Sequence, residues 1–188
     1  YRGYLKERDI PQDSNTETYV AMKFFIDNQR FKGVPFYVRA GKNLHKDVVE
    51  ISIVFIKTSN ILFKEYGIPE IGNVLTIKIQ PDEGISIRII AKKPGTKLAL
   101  KTVNMHFTYQ EAFQTKGAEA YEKILVDIIA GDQMLFNRSD ELSSSWEFIT
   151  KILEGWSHER STVLYYEPGT WGPKEAQELI EKDGRKWL

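Results

Sequence analysis

The alternation of apolar and polar residues predicts a run of β-strands through the middle of the chain. Ile51 and Ile53 alternate with Glu50 and Ser52, and the same alternation recurs further on. This period of two is typical of a strand with one covered face. No helix-length segment separates the runs, so the pairing is expected to be antiparallel. We predict strands over residues 34–39, 48–57, 74–80, 85–92 and 98–109, with 58–73 as a connection.

Helical patterns flank these strands. Ser14, followed three residues later by Glu17, has the form of a capping box and predicts a helix over residues 15–30. Further helices are predicted over 118–130, from Ser139 to Trp156 and from Pro173 to Gly184, with a short strand over 163–166. The order indicates an α+β fold, with a large, mostly antiparallel sheet and helices packed on one face.

Composition narrows the class of protein. The 188 residues fit one domain, and the net charge of zero argues against nucleic-acid binding through bulk electrostatics. With no cysteine, the chain has no disulfide and no thiol nucleophile, and its three histidines are not at metal-ligand spacing, so no metal is expected. No apolar run is long enough to cross a bilayer. We expect a cytoplasmic protein that binds neither nucleic acid nor membrane.

The clearest candidate for a ligand site is the turn Arg39-Ala40-Gly41-Lys42 at the end of a predicted strand. A glycine brings the backbone close to a ligand, while Arg offers a planar fork and Lys a mobile charge to a phosphate. Lys46 lies nearby and adds to the positive charge. The same pattern also fits a solvent-exposed basic turn with no ligand.

A second candidate is Gln80, at the start of the turn Gln80-Pro81-Asp82-Glu83-Gly84. Its amide is both donor and acceptor, so it is suited to a sugar hydroxyl. A plain hairpin turn explains the segment equally well. From the residues alone, the interpretation reaches a ligand-contacting α+β domain and goes no further.

An ordered set of motifs resembles the C-terminal half of glucose-6-phosphate dehydrogenase. Each motif is weak alone, but together they span essentially the whole chain in the family's order. They are Gly33-Val34-Pro35-Phe36-Tyr37-Val38-Arg39-Ala40-Gly41-Lys42, Ile79-Gln80-Pro81-Asp82-Glu83-Gly84, Lys93-Pro94-Gly95, Glu119-Ala120-Tyr121-Glu122, Gly131 to Glu141, Gly172 to Ala176 and Asp183-Gly184-Arg185.

The resemblance implies the substrate-binding and dimerisation domain of an enzyme that oxidises glucose 6-phosphate to the lactone with NADP, opening the pentose phosphate pathway. It implies that NADP is bound mainly by an N-terminal dinucleotide-binding domain, which also carries the catalytic base. Residues 1–188 would then be the C-terminal domain, inactive alone, with a homodimer formed through the sheet.

Individual positions carry over from the family's motifs. Lys42 matches the substrate lysine, and Gln80 matches a glutamine that reaches the sugar phosphate. The family's second basic residue, five positions beyond the lysine, is Asp47 here, so Asp47 occupies a substrate-binding position. A one-residue shift in the loop would let Lys46 substitute for it, and without that shift substrate affinity is weakened. Arg39 is a further substrate-binding candidate. The second, structural NADP site of some members is predicted to be absent, because its positions correspond to Val48, Ser52, Ser86 and Trp171.

Two other hypotheses remain open from the sequence. The domain could be a non-enzymatic oligomerisation module, in which the sheet serves assembly alone. It could also be a degenerate paralogue that has lost the substrate, a reading prompted by Asp47.

Overall fold

The computed structural model describes residues 1–57, 71–114, 120–158 and 164–188, and its strands and helices confirm the predicted α+β class. The chain divides into two units, which are described separately. The first comprises Tyr1–Thr115 with Tyr165–Leu188, and the second comprises Lys116–Leu164.

The first unit contains a two-stranded antiparallel sheet. After a short 3-10 helix, Tyr4–Lys6, strand β1 (Tyr19–Phe25) pairs with β2 (Pro35–Gly41). The helix predicted over residues 15–30 is therefore wrong. Residues 19–25 pair with β2 along their whole length, and the Ser14 hydroxyl accepts from the Thr16 amide instead of closing a capping box.

The first unit also contains a four-stranded antiparallel sheet, in agreement with the predicted strands. Its strands are β3 (Val49–Val54), β4 (Val74–Gln80), β5 (Gly84–Lys92) and β6 (Leu100–Thr108), and each pairs with its neighbour along the chain. Most of the predicted connection over 58–73 lies outside the described residues, which resume at Ile71.

The two faces of this sheet differ in chemistry, because residues paired across antiparallel strands share a face. One face carries apolar rows, and the other combines polar rows with the valines Val54 and Val74. An apolar row is Ile51, Ile77, Ile85 and Phe107, and the adjacent polar row is Ser52, Thr76, Ser86 and His106.

Two helices belong to the first unit. Helix α1 (Tyr109–Phe113) follows β6 directly, and the Thr108 side chain caps it by accepting from the Glu111 amide. Helix α4 (Lys174–Glu181) packs on β1 and buries Ala176 and Ile180. The second unit contains α2 (Ala120–Ala130) and α3 (Ser139–His158), close to the predicted bounds.

Of the short strand predicted over 163–166, the described residues 164–166 form none. Residue 163 lies outside the described residues, and residues 164–166 have no strand assignment. Tyr166 instead forms two separate hydrogen bonds: its carbonyl accepts from the Arg2 amide, and its phenol donates to the loop after β2. Tyr166 belongs to the small core of the first unit, with Val74 on the four-stranded sheet and the two α4 residues.

Candidate functional site

Two hydrogen bonds fix the main chain at Lys42, the first residue of the loop that follows β2. Its amide donates to the Thr18 carbonyl at 2.8 Å, and its carbonyl accepts from the Tyr166 phenol at 2.6 Å. Burial raises the pKa of the Tyr166 phenol, so this side chain remains a proton donor at neutral pH. The backbone from which the Lys42 side chain projects is therefore anchored.

The rest of the loop is bound to the turn before α4. The Gly169 amide donates to the Asn43 carbonyl, and the His45 amide donates to the Thr170 carbonyl, each at 2.9 Å. The His45 ring also places its Nδ1 3.2 Å from the Gly169 carbonyl. Residues 42–45 and 166–170, distant in sequence, are thus joined by several backbone contacts. We call residues 42–45 the anchored loop.

The Tyr19 ring packs against two glycines, Gly41 at the end of β2 and Gly172. A Cβ on Gly41 would lie 2.5 Å from the Tyr19 ring, and a Cβ on Gly172 would fall on the same ring. Gly172 also has φ +106°, a conformation that side chains other than hydrogen rarely adopt. The Tyr19 hydroxyl donates to the Trp171 carbonyl at 3.2 Å. The two glycines therefore make room for the ring that ties β1 to the C-terminal segment.

Arg39 lies between two indoles. Its Cζ is 4.3 Å from the ring centroid of Trp171 and 4.8 Å from that of Trp187. Burial lowers the pKa of the guanidinium, while Tyr19 and Glu50 act in the opposite direction. Arg39 stays charged at any physiological pH, so the indoles hold a permanent cation.

The other predicted site residues lie at the surface near this loop. Lys42, Lys46 and Asp47 are exposed. Gln80 ends β4, and its register partner is Val49, two residues after Asp47. The structure therefore brings Gln80 to the end of the segment that carries the two lysines. Within the described ranges, no carboxylate forms an ion pair with either Lys42 or Lys46.

A charged cluster fixes the C-terminal segment to the β1–β2 sheet. Asp183 accepts from Lys23 Nζ at 2.6 Å and from the Tyr37 hydroxyl. These two hydrogen bonds, that from Lys23 first, hold the pKa of Asp183 below its ordinary value. Trp187 adds a hydrogen bond from its Nε1 to the Ala176 carbonyl at 3.0 Å. Together these contacts hold Trp187 close to Arg39.

Most of these supporting residues were missed from the sequence. Tyr19 was assigned to a helix, Tyr166 to a strand, and Trp171 was considered only as a substituted NADP position. Their partners are far away along the chain, as with the 124 residues between Lys42 and Tyr166. The sequence places Gly172 just before the last predicted helix. No local pattern indicates that the absence of a side chain there makes room for Tyr19.

Other kinds of site were sought in the part of the chain that the structure describes. There, no three His, Asp or Glu side chains form a cluster able to hold a metal ion. None of the helices in the same ranges combines the length and apolar character needed to cross a bilayer.

Comparison with known proteins decides the family. The profile described as "Glucose-6-phosphate dehydrogenase, C-terminal domain" matches residues 1–188. The chain belongs to the glucose-6-phosphate dehydrogenase family. It is 43% identical over 188 residues to glucose-6-phosphate 1-dehydrogenase of Chlamydia trachomatis, covering 98% of this chain and 43% of that protein. The Chlamydia pneumoniae enzyme is 46% identical over 189 residues, with 98% and 37% covered.

Solved structures of the family agree. A crystal structure of glucose-6-phosphate 1-dehydrogenase from Mycobacterium avium matches with TM-score 0.84 and 31% identity, covering 100% of this chain and 38% of that one. A glucose-6-phosphate dehydrogenase in complex with its substrate glucose-6-phosphate matches with TM-score 0.82 and 34% identity, covering 98% and 38%. The chain thus spans about two-fifths of the length of these relatives and corresponds to their C-terminal portion.

The described residues do not fit a dinucleotide-binding loop. Such a loop needs a strand, a glycine-rich turn and a helix N-terminus in succession. Here, among the described elements of the first unit, β6 continues into α1 through Thr108 and Tyr109 with no glycine, and the strands of its sheet are antiparallel. No step that involves NADP is therefore assigned to these residues.

Proposed function

We propose that this chain is the substrate-binding and oligomerisation part of a glucose-6-phosphate dehydrogenase, and that Lys42 binds the phosphate of glucose 6-phosphate. One observation carries the proposal: the backbone of Lys42 is fixed through both its amide and its carbonyl, while its side chain is exposed and forms no ion pair in the described ranges. An ammonium group held in this way can meet a dianion without first breaking another interaction.

Lys46 and Gln80 complete the proposed site. Lys46 supplies a second positive charge on the segment before β3, where Asp47 replaces the basic residue of the family's pattern. Gln80 lies across from Val49, at the end of that segment, and offers an amide to the phosphate or to a sugar hydroxyl. The carboxylate of Asp47 weakens the local potential, so Lys42 is expected to supply most of the binding energy.

The chemistry requires the remainder of the protein. The reaction of the whole enzyme is oxidation of glucose 6-phosphate to 6-phosphogluconolactone with NADP, and both the base and the cofactor site belong to the N-terminal part. The contribution of residues 1–188 is placement of the sugar phosphate, which alone can change a rate by several orders of magnitude. The chain on its own is inactive in this proposal, and measurable turnover by it would contradict that.

Steady-state kinetics of the full-length protein test the role of Lys42. Loss of a charged hydrogen bond to phosphate raises KM for glucose 6-phosphate by about 10-fold or more in Lys42→Ala. Lys32→Ala is the matched control, since Lys32 is an exposed lysine in the β1–β2 connection. An unchanged KM in Lys42→Ala, or an equal change in both variants, would contradict the assignment.

The oligomerisation part of the proposal is a homodimer formed through the polar face of the four-stranded sheet. The row Ser52, Thr76, Ser86 and His106 on that face offers hydroxyls and an imidazole that can hydrogen-bond a second subunit.

Light scattering of the full-length protein tests the dimer. Ser86→Lys introduces a cation at the centre of the polar face, between Thr76 and His106, and is expected to give a monomer. Thr96→Lys, an exposed position in the turn between β5 and β6, leaves the dimer intact. A monomeric wild type, or a dimer that tolerates Ser86→Lys, would contradict the proposed interface.

A further inference from the structure

Four side chains form a continuous row beside the anchored loop. Trp187 contacts Arg39, Arg39 contacts Trp171, and the Trp171 ring meets the His45 ring edge-on with centroids 5.6 Å apart. Lys42 lies midway along the sequence between Arg39 and His45, the two members contributed by β2 and the anchored loop. The row therefore holds both flanks of the segment that carries Lys42.

From this row we infer that Arg39 is a positioning residue for Lys42 and not itself a ligand of the sugar phosphate. The inference rests on the proposed function of Lys42. It changes the role expected for Arg39 from the sequence, where its guanidinium was a candidate for direct phosphate binding.

The first argument is that the guanidinium is already occupied. The guanidinium is in cation–π contact with two indoles, whose ring centroids are 4.3 Å and 4.8 Å from its Cζ. Glu50, at the start of the four-stranded sheet, adds a favourable charge. Binding a phosphate would require Arg39 to leave these contacts, whereas Lys42 has no ion pair to give up in the described ranges. Lys42, and not Arg39, is therefore the residue suited to bind the phosphate.

The second argument is that both indoles are themselves fixed. The Trp171 carbonyl accepts from the Tyr19 hydroxyl, and the Trp187 Nε1 donates to the carbonyl of Ala176, a buried residue of α4. Across the β1–β2 sheet, the register partner of Arg39 is Ala21, whose small side chain leaves space on that face. The cation is thus held by two indoles that are themselves fixed, and these contacts oppose movement of β2 relative to the C-terminal segment.

The shape of the guanidinium is essential to this role. Lys retains the charge but lacks the plane that stacks between two rings, so Arg39→Lys is expected to lose most of the positioning effect. Met is similar in length and has neither charge nor plane. If Arg39 contacted phosphate directly, Lys would retain much of the affinity that Met loses. The two substitutions therefore separate positioning from direct binding.

The test is steady-state kinetics of the full-length protein with glucose 6-phosphate. Arg39→Lys, Arg39→Met and Trp187→Leu are each expected to raise KM about 3- to 10-fold with kcat within about twofold. Trp187→Phe keeps an aromatic ring but loses the hydrogen bond to Ala176, so its KM is expected to lie between those of the wild type and Trp187→Leu. The double variant Arg39→Met with Trp187→Leu should be no worse than the poorer single variant, because Arg39→Met already removes the contact with Trp187. Arg30→Met is the control, since Arg30 stacks on Phe31 at 5.6 Å on the surface.

Two results would overturn the inference. One is a wild-type KM in Arg39→Lys together with a raised KM in Arg39→Met, which would make Arg39 a direct ligand. The other is an unchanged KM in a folded Trp187→Leu variant; if that variant does not fold, the comparison of Lys with Met at position 39 decides alone. Lys42→Ala is measured in the same series: if its KM is unchanged the proposed function fails, and if only the Arg39 and Trp187 variants are silent the inference alone fails.

Discussion

The two sheets of the first unit are held together in different ways. In the four-stranded sheet every strand pairs with its neighbour along the chain, so its register depends on local connections. The strands β1 and β2 are also neighbours along the chain, but their sheet has additional contacts from residues 166–187. One of these is a hydrogen bond between Tyr19 and Trp171 that spans 152 residues. The difference implies that substitutions near the C-terminus control the position of Lys42, although they are remote from it in sequence.

The largest expected effect comes from the glycine that accommodates Tyr19. Gly172→Ala combines a left-handed backbone with a clash against the Tyr19 ring, and it should lower the free energy of unfolding by about 3 kcal/mol or more. Gly169→Ala, at φ +79° with nothing near its added Cβ, should cost only about 1 kcal/mol. Denaturant unfolding of both variants measures the difference.

Hydrogen exchange of the same variants tests whether the two sheets respond differently to the loss of contacts from the C-terminal segment. Gly172→Ala should accelerate exchange of the amides in β1 and β2 more than of those in β5 and β6. Equal acceleration in both sheets would mean that they unfold as one cooperative body. The distinction drawn from their contacts would then have no energetic counterpart.

An intermediate effect is expected from the phenol that holds the anchored loop. Tyr166→Phe leaves the Lys42 carbonyl without its 2.6 Å donor and should cost about 1–2 kcal/mol of stability, with a higher KM for glucose 6-phosphate. Tyr165→Phe, at an exposed neighbouring position, should change neither quantity. Thermal unfolding and kinetics of the two variants measure the changes in stability and KM. Identical behaviour of the two variants would mean that the anchored loop does not affect the function of Lys42.

The smallest effect is a pH dependence at Asp183. Because Lys23 and Tyr37 lower its pKa, its contribution to stability is fully present above the pKa of an unfolded Asp, about 3.9, and is lost as the pH falls through the lower folded value. The stability difference between wild type and Asp183→Asn should therefore shrink as the pH falls below about 4. Asp9→Asn serves as an exposed control. A difference that is independent of pH would exclude this ionisation as the cause.

Sequence patterns predicted the elements whose partners are close along the chain. The four-stranded sheet was predicted because alternation and the turn at Pro81 to Gly84 are local signals, and α2 and α3 were predicted from helical periodicity. Strand β1 was missed because the capping-box pattern at Ser14 precedes an almost continuous apolar run, whose period does not distinguish a helix from a strand. Only the pairing with β2 identifies it as a strand.

The candidate site divides in the same way. Lys42 and Gln80 are predicted from motifs, and the register places Gln80 opposite Val49, seven residues beyond Lys42. The supports of the loop were not found, because Tyr19, Tyr166 and the two indoles reach it only through tertiary contacts. Nothing near Arg39 in the sequence indicates that its charge is taken up by Trp171 and Trp187.

The most direct test of the account is the preference of the full-length enzyme for a phosphorylated substrate. The quantity to measure is kcat/KM for glucose 6-phosphate divided by kcat/KM for glucose, in wild type and in Lys42→Ala. If Lys42 binds the phosphate, the substitution lowers this ratio by about 10-fold or more, through loss of a charged hydrogen bond, and leaves glucose oxidation unchanged. A ratio that stays at the wild-type value would contradict the central claim.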